Sequence, residues 1–121
     1  MSKKRILIID DDNRNIFALT ATLRSKGFEC ISRTNAREAI EFLQGDEPID
    51  IVLLDMMMPD MDGYEALPEI KKITKRSDVP VVSVTAQAMT GDKEKCLAAG
   101  ADNYISKPID VDKLLTLLAS Y

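Results

Sequence analysis

Residues 49–63 read IDIVLLDMMMPDMDG, and the reading of this stretch decides the fold. Ile49, Ile51, Val52, Leu53 and Leu54 form a run too short for a helix and apolar on both faces, as suits a strand covered on both sides of a parallel sheet. The run stops at Asp55. Pro59 then punctuates a loop, and Asp62 stands three residues before Glu65, an acidic version of the capping box that starts a helix near Gly63. Tyr64, Leu67, Ile70 and Ile73 follow at helical spacing. The stretch is therefore a strand, a carboxylate-bearing loop and a helix.

The same unit repeats in both directions. Runs at residues 5–9 (RILII), 28–32 (FECIS), 79–84 (VPVVSV) and 102–106 (DNYIS) predict further strands beside the one at 49–54. Apolar stripes at Ile16, Leu19 and Leu23, at Ala36, Ala39, Ile40 and Leu43, and at Val111, Leu114, Leu115 and Leu118 each predict a helix face pressed on a sheet. Gly27 and Gly45 stand where helices end, and Pro80 and Pro108 fall in or beside connections. Five such units joined by right-handed crossovers make a doubly wound α/β sandwich. Residues 91–99 (GDKEKCLAA) predict a fourth helix with little to bury, and a weakly anchored helix can move. Pro68 falls past the first turn of the third helix, where its missing N–H is expected to bend the chain.

Composition narrows the chemistry. A chain of 121 residues, 45% hydrophobic, can bury one core without disulfides or structural metal. The absence of histidine excludes Ser-His-Asp and Cys-His catalysis, histidine metal sites and a phosphohistidine relay within these residues. A net charge of -4, three Phe, three Tyr and no Trp argue against nucleic acid as a partner. No apolar stretch long enough for a signal peptide or membrane span follows Lys3-Lys4-Arg5, so a cytoplasmic location is expected. Cys30 and Cys96 form no C-x-x-C unit and read as reduced thiols.

Open parallel sheets bind ligands beyond the carboxyl ends of their strands. There the first strand delivers Asp10-Asp11-Asp12, the third Asp55, the fourth Thr85 and the fifth Lys107-Pro108. A lone Asp after a strand is ordinarily a cap, and an acidic run is ordinarily solvated surface. Joint arrival at one edge asks for more. Crowded carboxylates repel unless a cation lies between them, and all-oxygen donors suit Mg²⁺. An aspartate can also be the nucleophile of phosphoryl transfer, where positioning and charge neutralisation carry the reaction.

Along essentially its whole length the chain resembles the receiver domains of two-component response regulators. The resemblance rests on ILIIDDD at the first strand, VLLDMMMPDMDG around the third, SVTA at the fourth and YISKP at the fifth. It implies a flavodoxin-like (βα)5 three-layer sandwich whose five-stranded parallel sheet has the order 2-1-3-4-5. It also implies a single receiver domain over residues 1–121, with no output domain.

By the same resemblance Asp55 is the phospho-acceptor. Asp10 and Asp11 hold Mg²⁺, with Mn²⁺ as a substitute. Asp11 binds directly and Asp10 largely through water, and Asp55 and the backbone carbonyl of Met57 complete the protein ligands. Lys107 contacts the phosphoryl group, Thr85 turns toward it, and Tyr104 is the aromatic switch. Asp12 falls on the pocket rim or caps a helix, and the small Ala86 leaves the approach to Asp55 open. The side chains of Met57 and Gln87 occupy the positions that tune hydrolysis. Met57 cannot orient an attacking water, so a fairly long-lived phosphoryl group is expected.

The implied function is a signalling switch, not an enzyme. It accepts its phosphoryl group from a sensor histidine kinase or a histidine phosphotransfer protein. It then offers a face around the fourth helix, fifth strand and fifth helix to a downstream protein, with a phosphorylation-dependent dimer left open. The segments NRNIFALTATL and TAQAMTGDKEKCLAAGAD are similar to receivers attached to hybrid sensor kinases. A phosphohydrolase using Asp10 and Asp12 is the alternative, but it leaves Asp55 and the Met-Pro loop unexplained. An FMN carrier would need a phosphate-binding first loop, and DDDN repels phosphate. A pseudo-receiver has no support when every needed residue is present. A copper site at Met56, Met57, Met58 and Met61 conflicts with the neighbouring carboxylates, which favour hard cations.

Overall fold

The computed structural model describes residues 4–59, 61–85 and 92–121. The chain runs β1 (Arg5–Ile9), α1 (Asn13–Ser25), β2 (Glu29–Arg33), α2 (Ala36–Leu43), β3 (Ile51–Asp55) and α3 (Gly63–Lys71). A 3-10 turn (Thr74–Arg76), β4 (Val81–Thr85), α4 (Asp92–Ala98), β5 (Asn103–Ser106) and α5 (Val111–Leu118) complete it. All strand pairs are parallel, in the order β2-β1-β3-β4-β5. The flavodoxin-like sheet expected from the sequence is the one observed.

Strand periodicity splits the core into two layers. Ile6, Ile8, Ile51, Leu53, Val82 and Val84 face the Leu19 and Leu23 stripe of α1 and Leu114 and Leu118 of α5. Their alternating neighbours Leu7, Ile9, Val52, Leu54 and Val81 face Ala39 and Leu43 of α2, Leu67 and Ile70 of α3, and Cys96 of α4. Every residue of β3 is buried, which is why its sequence lacks a polar face.

The ladders of β3 and β4 start slightly later than their apolar runs, whereas β1 matches its run. Ile49 is buried but precedes β3, and the Val79 N–H closes a turn onto the Arg76 carbonyl at 3.0 Å. Conversely the polar Asp55 and Thr85 belong to the ladders, paired with Val84 and Ser106. Side-chain polarity marks burial, whereas backbone hydrogen bonds mark the strand.

Helix starts follow capping chemistry. Asp12, Asn35, Asp62 and Asp110 accept first-turn N–H groups of α1, α2, α3 and α5. Gly27, just past α1, has φ +93°, where a Cβ would be strained. Helix α3 continues through Pro68, whose carbonyl still accepts from the Lys72 N–H at 3.1 Å. Buried Arg76 holds the end of α2: Nε donates to the Leu43 carbonyl, and Nη2 to those of Gly45 and Glu47. Among the described residues no helix is long and apolar enough to cross a membrane.

Candidate functional site

The site gathers where β1, β3, β4 and β5 end. Asp10 follows β1, its N–H donating to the Arg33 carbonyl at 3.2 Å, and the residue is 4% exposed. Its Oδ1 accepts the Asp12 N–H at 2.9 Å, a turn that leaves Asp11 exposed. Asp12 spends its own carboxylate on the N–H groups of Arg14 and Asn15, as the cap of α1. That placement matches the helix-cap reading of Asp12.

Asp55 closes β3 and is 3% exposed. The Met56 N–H donates to the Val84 carbonyl at 2.9 Å, and the Met57 N–H donates to Asp55 Oδ1 at 3.0 Å. The end of β3 is thus pinned while one carboxylate oxygen of Asp55 is oriented. Opposite it, Lys107 Nζ lies 3.3 Å from Asp55 Oδ2 and 3.9 Å from Asp10 Oδ2. The base of this lysine is fixed by its N–H, which donates to the Thr85 carbonyl at 2.7 Å, and the Lys107–Pro108 peptide is cis.

One carboxylate oxygen each from Asp10, Asp11 and Asp55 can be chosen so that all lie within 4.8 Å of one another. With Lys107 beside them, three ionised carboxylates leave an excess charge of about two, which one divalent cation cancels. The donor set is all oxygen and fits Mg²⁺ better than a soft metal. Burial pushes the Asp10 carboxyl above the ordinary value of 3.8, and the neighbouring Asp55 charge adds to the rise. The Asp12 N–H and the Lys107 ammonium oppose it.

The other sequence-marked residues fall around this cluster. Thr85 is buried at the end of β4. Tyr104 on β5 is half-buried and packs against the layer that also holds Cys96. Met56 and Met58 are buried and Met61 packs against the core, whereas Met57 is 53% exposed at the rim. Ala86 and Gln87 lie outside the described residues.

Two features escaped the sequence reading. A cleft of about 240 Å³ runs from Asn15, Ala18 and Thr22 of α1 to Lys107, Ile109 and Val111. Tyr64, read only as part of a helical stripe, also touches α4: its ring lies under Lys95 and its hydroxyl meets Cys96.

The response regulator receiver domain family matches residues 6–119. The chain is 32% identical over 118 residues to the polar-differentiation response regulator DivK of Brucella anthropi, covering 98% of this chain and 95% of that protein. It is 39% identical over 116 residues to the sensor histidine kinase RcsC of Salmonella typhi, covering 96% of this chain and 12% of that protein. The chain therefore spans nearly all of one kind of relative and a small part of another. Among solved structures, the receiver domain of a Pseudomonas aeruginosa PAO1 sensor histidine kinase superposes with a TM-score of 0.85 at 31% identity, covering 99% of this chain and 98% of that one. That structure has a magnesium ion coordinated in its active-site cleft.

Proposed function

The chain belongs to the response regulator receiver domain family, and on that premise we propose that it is a phosphorylatable switch with Asp55 as its acceptor. An Asp55 carboxylate oxygen attacks the phosphorus of a phosphohistidine; the new O–P bond forms as the N–P bond breaks and its electron pair returns to the imidazole. The donor histidine lies outside these 121 residues, which contain none. It belongs to a sensor histidine kinase or a histidine phosphotransfer protein.

The residues around Asp55 divide the work. Lys107 donates to a phosphoryl oxygen and offsets its charge, and the Thr85 hydroxyl turns to donate to another. Asp11 and Asp55, with the Met57 carbonyl, would hold Mg²⁺, with Asp10 beside them in support; Mn²⁺ would substitute. When bound, Mg²⁺ would supply charge neutralisation for the oxygens being transferred. Tyr104 turns inward as Thr85 moves, and the face made by α4, β5 and α5 changes for a downstream protein or a second phosphorylated copy. Met57 offers no hydrogen bond to an attacking water, so the aspartyl phosphate is long-lived. The switch works in the cytoplasm.

One observation carries this reading: an ammonium 3.3 Å from a nearly buried carboxylate at the end of β3, with two more carboxylates beside it. Incubation with labelled acetyl phosphate and Mg²⁺ tests it. Label should appear on Asp55, and should be lost in Asp55→Asn and in excess EDTA. Undiminished labelling of Asp55→Asn overturns it.

A further inference from the structure

Among the described side chains of α4, Cys96 alone is buried; Glu94, Lys95, Leu97 and Ala98 are exposed. Both Cys96 and its predecessor reach the same aromatic ring. Cys96 Sγ is 3.7 Å from the Tyr64 hydroxyl, and Lys95 Nζ is 4.4 Å from the centre of the Tyr64 ring. Tyr64 in turn stands on backbone fixed to the acceptor strand. The preceding residue, Gly63, donates its N–H to the Met56 carbonyl at 3.2 Å, and a Cβ there would come within 2.6 Å of Met56 Cα. Contacts therefore run without a break from Asp55 through Met56, Gly63 and Tyr64 to α4.

We propose that Tyr64 is a positioning residue, a latch that holds α4 against α3 in the unphosphorylated domain and so sets how readily the domain switches. This rests on the reading of Asp55 as acceptor and of α4 as the element that moves. The latch is built from weak parts, a cation–π contact at the surface and a hydroxyl–thiol contact, in keeping with an element that must release. Loosening it favours the released state, and by linkage any ligand that favours that state then binds more tightly.

Two variants of the full chain test the latch: Lys95→Met, which keeps the aliphatic stem, and Tyr64→Phe, which keeps the ring. Without any phosphoryl mimic, alkylation of Cys96 should speed up about two- to five-fold in Lys95→Met, the span of a surface cation–π contact. Cys30 in the same sample should react at its original rate, which separates latch release from general loosening. Beryllofluoride with Mg²⁺ should bind both variants more tightly, Lys95→Met by a similar factor. Unchanged Cys96 alkylation in both variants overturns the latch, and so does faster alkylation with unchanged beryllofluoride affinity. Failure of beryllofluoride to bind the unsubstituted chain would instead overturn the acceptor reading, with the alkylation comparison still deciding whether Tyr64 holds α4.

Discussion

Lys107 Nζ stands 3.3 Å from Asp55 Oδ2, closing the charge cluster from the far end of the chain. A half-buried ammonium between two nearly buried carboxylates lowers their mutual repulsion, so its removal leaves charges without compensation. Lys107→Met should lower stability at neutral pH in metal-free buffer by about 1–2 kcal/mol, less than a fully buried pair would cost. Urea titrations in EDTA measure this. Combining it with Asp10→Asn should shrink the loss, because one of the two carboxylates is then neutral.

Asp10 yields a prediction with a definite sign. Its carboxyl is held above 3.8, first by burial and then by the Asp55 charge, so the folded state binds the proton more tightly than the unfolded one. Stability then falls as pH rises from the ordinary value through the raised one, and ionised Asp10 is a cost above that window. Asp10→Asn removes the cost. In EDTA it should melt higher than the unsubstituted chain at pH 7, with the advantage vanishing near pH 3.8 and below. Millimolar Mg²⁺ should raise the melting temperature of the unsubstituted chain and hardly move that of Asp10→Asn.

Asp10 and Asp55 could be seen in the sequence because each is a polar residue placed directly after an apolar run. The same cue found the sheet, yet it set the starts of β3 and β4 early, because Ile49 and Val79 supply apolar surface from outside the ladder. Arg76 was invisible for the opposite reason. Its partners are the backbone carbonyls of Leu43, Gly45 and Glu47, which no side-chain pattern announces. The pairing of Tyr64 with α4 was hidden likewise, since apolar spacing shows that a helix face is covered and not which element covers it.

Gly63 and Arg76 provide stability tests that leave the charged side chains of the cluster unchanged. In Gly63→Ala the new methyl meets backbone of Met56, which cannot rotate away, so one strand–helix junction must shift. The expected loss is about 1–3 kcal/mol, read by urea unfolding. Arg76→Met leaves three carbonyls at and beyond the end of α2 without this donor and should cost about 2–3 kcal/mol. Arg76→Lys should recover little, because a single ammonium cannot reproduce the planar fork.

With Asp55 as the proposed phospho-acceptor, the lifetime of its phosphoryl group is expected to depend on what faces the solvent side of Asp55. Met57 is exposed there, while its N–H is committed to Asp55 Oδ1 at 3.0 Å, so only its thioether meets incoming water. A thioether is a weak acceptor and cannot donate, which leaves an attacking water without a fixed orientation. Met57→Gln supplies an amide of similar reach. One added hydrogen bond of about 1 kcal/mol in the transition state should speed loss of the label about five-fold. Met57→Leu, apolar and of similar volume, should decay like the unsubstituted chain. The measurement is decay of labelled protein after removal of acetyl phosphate in Mg²⁺ buffer. Decay of the unsubstituted chain within seconds, or equal rates for the Gln and Leu variants, would remove Met57 from control of the reaction.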